Sequence, residues 1–160
     1  MIVRHDQSTD LGRERRSRLN LLLSCGEGPT DPAVEQLPRL LAPMGIHSLR
    51  ATSGKGAADV ISHHPIHIAV VDLTIPLAPS ATARAGGDRI LQLLRRLDEP
   101  PPTVVIRPRQ AVARESARSL SAALREGAFA VLDRPIDLEM ILEVMRRILR
   151  KHYADVWPQS

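Results

Sequence analysis

The sequence predicts an α/β protein in which five β-strands alternate with five α-helices to form a doubly wound parallel sheet. Three observations carry that prediction. Ile66 to Pro76 reads Ile-His-Ile-Ala-Val-Val-Asp-Leu-Thr-Ile-Pro, a β-branched and aliphatic run with almost no period-2 alternation, as expected of a strand buried on both faces. Further short apolar runs recur along the chain, each followed by a stretch with helical spacing, and this alternation implies parallel pairing through right-handed crossovers. The central run ends in a charge, Asp72, where open parallel sheets place their ligand crevice.

Taken in order, Met1 to about Arg18 is polar and charged without apolar period, so 1–18 is predicted to be a flexible basic N-terminal arm and 19–153 the folded domain. Leu19 to Leu23 is the first buried strand, closed by Ser24, Cys25 and Gly26. Asp31 has the position of an N-cap, with Pro32 at the first helical position and Glu35 in the first turn. The helix it opens carries Val34, Leu37, Leu40, Leu41 and Met44 along one side, contains Pro38, which should kink it or cost a hydrogen bond, and ends at Gly45. Ile46 to Ala51 is a weaker strand, and Ser53 to His63 a short helix with Ala57, Val60 and Ile61 inward.

After the central strand, Leu77 to Gly86 is rich in Ala, Ser, Pro and Thr, a loop longer than the usual βα connection. Gly87 to Leu97 resumes helical spacing through Ile90, Leu91, Leu94 and Leu97 until Pro100 to Pro102 stops it. Thr103 to Ile106 is a fully apolar strand ending in Arg107, followed by polar residues from Pro108 to Ser116. A helix from about Glu115 to Glu126 shows Leu120, Ala123 and Leu124 before Gly127. Phe129 to Leu132 is the last strand, Asp133, Arg134 and Pro135 follow it, and Asp137 caps a helix with Leu138, Ile141, Leu142, Met145, Ile148 and Leu149 at helical period. The remaining residues, 154–160, read as a C-terminal tail. A strand order of the flavodoxin type is the economical arrangement, and it brings Ser24, Cys25, Asp72, Arg107 and Arg134 to one sheet edge.

Composition bounds the function. The 160 residues are 43% hydrophobic and 25% charged, enough for one globular core, but only 2% aromatic, which leaves little to stack on bases and argues against a single-strand nucleic-acid binder. Net charge is +4 and pI about 10.2, with Arg13, Arg15, Arg16 and Arg18 clustered in the arm, where a solvated tail is the simpler explanation. A single cysteine, Cys25, excludes an internal disulfide, and no apolar run approaches the ~20 residues of a membrane span. The start is too polar for a secretory signal, so a cytoplasmic location is expected.

Two segments carry a resemblance. Val-Val-Asp-Leu-Thr-Ile-Pro at 70–76 is similar to the phosphoacceptor segment of the receiver domains of bacterial response regulators, with Pro four residues after Asp. Glu-Gly-Ala-Phe-Ala-Val-Leu-Asp-Arg-Pro-Ile-Asp at 126–137 resembles the Gly-Ala... Lys-Pro signature that ends the fifth strand of that family. The resemblance covers about Leu19 to Tyr153 and implies the flavodoxin-like (βα)5 receiver fold. It also implies a phosphoacceptor at Asp72, two acidic Mg²⁺ ligands after the first strand, a Thr or Ser after the fourth and a Lys before the fifth-strand Pro. Here the corresponding residues are Ser24 and Cys25, neither a good hard-cation ligand, then Arg107, then Arg134. The Arg134 to Pro135 bond is expected to be cis, as the Lys-Pro bond is in the family.

Three altered parts in one crevice predict an atypical, pseudo-receiver member in which Asp72 is permanently paired by Arg134, Arg107 or both. Against this stand solvent-facing arginines beside a relict Asp72, or a metal ligand restored by Glu27 or Asp31. The predicted function is a non-enzymatic protein–protein signalling module of a two-component-type pathway that uses no cofactor. Its partner would be a histidine kinase or a downstream effector, or a second copy meeting it through the last helices. The chain is expected to stand alone, since little follows the last helix. The alternative is a phosphorylatable single-domain regulator that uses Mg²⁺ and Asp72. Three other features have bland explanations: His63, His64 and His67 lack ligand-spaced companions, Ser53-Gly54-Lys55-Gly56 lacks phosphate-loop spacing, and Cys25 at a strand end is expected to be partly buried and inert.

Overall fold

The computed structural model describes residues 19–26, 31–79, 85–109 and 112–153. The predicted arm 1–18, residues 80–84 and 110–111 of the two long loops, Glu27 and the tail 154–160 lie outside the described residues.

Five strands, β1 (Leu19–Ser24), β2 (Ile46–Ala51), β3 (Ile68–Asp72), β4 (Thr103–Arg107) and β5 (Ala130–Asp133), form one parallel sheet in the order β2-β1-β3-β4-β5. Helices α1 (Pro32–Leu41), α2 (Gly54–His63), α3 (Gly86–Arg95), α4 (Ala113–Arg125) and α5 (Leu138–His152) make the crossovers. This is the doubly wound flavodoxin-like order that the alternation of elements predicts.

Strand pleating explains why the central runs carry no polar face. Leu21, Leu23, Ile68, Val70, Val104 and Ile106 enter a core shared with Leu37 of α1 and Met145 of α5. Their neighbours Leu22, Ala69, Val71 and Val105 point the other way, onto Ala57 of α2, Ile90 and Leu94 of α3 and Ala123 of α4. Both faces must therefore be apolar, and each fully buried Leu or Ile contributes about 1.5–3 kcal/mol.

One local expectation changes in the structure. Asp31 precedes α1 but makes no side-chain cap; its carboxylate is drawn instead to a guanidinium across the sheet edge. Of the apolar residues that mark α4 in the sequence, Leu120, Ala123 and Leu124, the two leucines are exposed and Ala123 is the residue α4 buries. The short β5 (Ala130–Asp133) lies at the sheet edge, so little apolar surface is available under that helix.

The loop after β3 is fixed by backbone contact. A side chain at Gly87 would stand 2.7 Å from the Leu73 Cα, so only glycine lets the start of α3 pack directly on the turn that follows Asp72. Gly86 N–H donates to the Ile75 carbonyl at 3.0 Å, and Gly54 and Lys55 of α2 donate to Pro76 and Leu77. Among the described residues no helix is long and apolar enough to cross a membrane.

Candidate functional site

Parallel register carries the strand ends to one edge. Ser24 pairs with Val71, Asp72 with Ile106, and Arg107 with Asp133, so the carboxyl ends of β1, β3, β4 and β5 open onto a common crevice. Arg134 follows directly from β5, through a cis bond to Pro135, as the resemblance implies.

Asp72 is 3% exposed and fully engaged. Arg134 holds it with two parallel bonds, Nη1 to Oδ1 at 3.2 Å and Nη2 to Oδ2 at 2.7 Å. Thr74 adds its backbone N–H at 2.9 Å and its hydroxyl at 2.7 Å, both to Oδ1. The third nitrogen of the fork, Arg134 Nε, donates to Asp31 Oδ2 at 2.8 Å. One guanidinium therefore bridges two carboxylates that lie on separate loops of the edge. Burial alone would raise the Asp72 pKa, but the bonds from Arg134 and Thr74 and the positive charge of Arg134 hold it below its ordinary 3.8.

Arg107 does not reach Asp72. Its partner in the ladder is Asp133 on β5, and a charge opposite on the same face is closer than one across the crevice. Nε and Nη2 grip the Asp133 carboxylate at 2.6 and 2.9 Å, while Nη1 and Nη2 donate to the Ser116 carbonyl at 2.6 Å and its hydroxyl at 3.2 Å. The residue at the position of the family's switch hydroxyl thus ties β4 and β5 to the first turn of α4. Of the two pairings expected for Asp72, the one to Arg134 forms and the one to Arg107 does not.

At the positions where the resemblance implies metal ligands, Ser24 and Cys25 are buried. The Ser24 hydroxyl has no hydrogen-bond partner among the described residues. The Cys25 thiol is pushed up to about 12, chiefly by burial and then by the Asp72 charge, so it stays protonated at neutral pH. Among the described residues no group of three or more His, Cys, Asp or Glu is placed to hold a metal ion. A divalent cation would also have to displace a guanidinium that already bonds three of the four oxygens of Asp72 and Asp31. The described residues therefore do not fit Mg²⁺.

The remaining candidates serve structure. Ser53 caps α2 by accepting from Gly56 N–H at 2.9 Å, and the N–H groups of Gly54 and Lys55 are spent on carbonyls, so this helix start offers no anion cradle. His67 accepts the Asn20 N–H on Nδ1 at 2.9 Å, while His63 and His64 are exposed.

Sequence reading finds Asp72 and Arg134 and brings Asp31 to the crevice only as a possible metal ligand, not as a partner of Arg134; it misses Thr74, Ser116 and Asp133. Thr74 carried a usable signal, since Asp-x-Thr at a strand end favours a side-chain turn onto the following backbone. The pairing of Asp31 with Arg134 carried none, because the two lie 103 positions apart.

No family model matches this sequence, and no curated protein matches it. Solved structures do. A CheY-like response regulator receiver domain protein from Methanospirillum hungatei superposes with a TM-score of 0.64 at 16% identity, covering 87% of this chain and 99% of that one. The non-phosphorylated HemR receiver domain of Leptospira biflexa gives 0.61 at 19% identity, covering 82% and 94%. A sensor protein from Polaromonas gives 0.60 at 24%, covering 84% and 98%. At such identities the likeness is one of fold. With its five parallel strands in this order and its charged crevice at their carboxyl ends, the chain has the receiver fold of response regulators.

Proposed function

We propose that the chain is an atypical receiver that acts by protein–protein contact in a two-component-type signalling pathway, without Mg²⁺-dependent phosphorylation of Asp72. The observation that carries this reading is the bridge from Arg134 to Asp72 and Asp31. In-line phosphoryl transfer needs a free carboxylate oxygen as nucleophile and a cation to neutralise the developing charge. Arg134 supplies a permanent positive charge, yet it occupies the oxygens that would attack and those that would bind metal. The crevice is balanced in one state, and signalling then depends on which partner is present. A kinase or an effector of such a pathway is the class of partner the fold suggests, and the module itself need not turn over a substrate.

The test is intact mass after incubation with acetyl phosphate and Mg²⁺, with an ordinary receiver in the same tube as the positive control. The expected result is no phosphate-sized gain. A gain that disappears in Asp72→Asn would overturn the reading and make the chain a phosphorylatable regulator with Asp72 as acceptor.

A further inference from the structure

At the end of the sheet opposite the Asp72 crevice, one residue holds both ends of the folded domain. Asn20 lies at the start of β1, where residues 1–18 join the fold, and Tyr153 follows the last residue of α5, where residues 154–160 leave it. His67, just before β3, is bonded to the two of them. Its ring Nδ1 accepts the backbone N–H of Asn20 at 2.9 Å, its own backbone N–H donates to the Asn20 carbonyl at 2.9 Å, and its carbonyl accepts the Tyr153 hydroxyl at 2.8 Å. The rings of His67 and Tyr153 meet edge to face, with centroids 6.2 Å apart.

The bond from Asn20 fixes the protonation state of the ring. A backbone N–H can only donate, so Nδ1 must carry a lone pair and the proton sits on Nε2. A second proton, on Nδ1, would set two donors against each other across that contact. Relief requires the ring or the Asn20 backbone to move, and the same residue carries the carbonyl that holds Tyr153. The surroundings do not favour the charged ring. Asn20 and Pro65 are uncharged, and His64, on the segment leading to His67, is exposed. From the end of α5 come Tyr153 and, beside it, the ring of His152. Glu99, between α3 and β4, acts with burial to raise the Tyr153 pKa, whereas His67 is shifted below 6.5 by burial.

We propose that His67 is a pH-sensitive clasp on the two ends of the domain, holding Asn20 and Tyr153 together while its ring is neutral and releasing both when the ring is protonated. The inference goes beyond the reading of the Asp72 crevice and does not depend on it. Mild acid loosens the two anchor points, while Asp72, whose pKa lies below 3.8, keeps its charge and its bonds to Arg134 at the other end of the sheet. The state of the clasp therefore changes how the segments flanking the domain are attached without changing the crevice.

The test follows the full chain by NMR from about pH 7.5 to about pH 5, a range that brackets histidine titration. At the upper pH the ring nitrogen shifts of His67 should report the Nε2–H tautomer. As the ring takes its second proton, amide protection factors at Asn20 and Tyr153 should fall about tenfold more than that of Val70 on the central strand. His67→Asn, whose side-chain oxygen can stand where Nδ1 stands and does not titrate, should keep both ends protected at the lower pH. Tyr153→Phe should lower protection at position 153 at every pH and leave the step at Asn20. An Nδ1–H tautomer at the upper pH, protection that falls equally at Asn20, Tyr153 and Val70, a fall at Asn20 without one at Tyr153, or a step that persists in His67→Asn would overturn the proposal. Every readout is taken without a phosphodonor, so failure here is separable from failure of the Asp72 reading.

Discussion

Arg134 decides the chemistry of the crevice because a guanidinium presents a fork and a lysine would not. A single ammonium could neutralise Asp72, but it could not bond both of its oxygens in plane while also reaching Asp31. The Asp72 side chain is 4% exposed, so its charge depends on this partner. Arg134→Ala should therefore cost about 3–5 kcal/mol in urea unfolding, since it strands a buried carboxylate. Asp72→Leu combined with Arg134→Met should recover most of that loss, because removing both charges removes the stranded one. Equal losses in the single and the double variant would mean that packing, rather than the ion pair, holds this site. Both members of the pair were legible in the sequence from their places at strand ends. The link from Arg134 to Asp31 was not: a carboxylate just before Pro32 has the local signature of an N-cap, and only the fold offers it a better partner.

At the scale of elements, α4 is attached by Arg107 more than by packing. Arg107→Ala should speed hydrogen exchange of α4 amides while those of α5, which buries Ile141, Met145, Ile148 and Leu149, stay protected. Unchanged exchange in α4 would show that Ala123 and the backbone bonds suffice. Strand and helix identities were legible throughout, with bounds off by a residue or two, as at Ala113–Arg125 against a predicted start near Glu115. Which apolar residues of α4 are buried was not legible, for a definite reason. Apolar spacing shows which residues could share a face, and whether that face is covered depends on how much sheet lies beneath it. Here the neighbouring edge strand is only 4 residues long.

For the whole molecule, acid should destabilise in two steps. Burial lowers the His67 pKa below its ordinary 6.5, so the unfolded chain binds the extra proton first and stability falls as pH drops from about 6.5. Asp72, held below 3.8, contributes stability that is present above that value and is lost as pH falls through its folded pKa. Urea midpoints across pH should thus be highest above about 6.5, and His67→Gln should flatten the first step without touching the second. A midpoint independent of pH between 7 and 5 would contradict the role given to His67. The parallel sheet and the edge at which the charges gather can be read from the residues alone, because runs buried on both faces and alternating with helices admit few arrangements, of which the flavodoxin-type order is the economical one. Which arginine takes Asp72 is settled by packing in three dimensions, since two candidates of the same charge reach the same edge. Strand register gives Arg107 a nearer carboxylate in Asp133, and Arg134 is left to bridge Asp72 and Asp31.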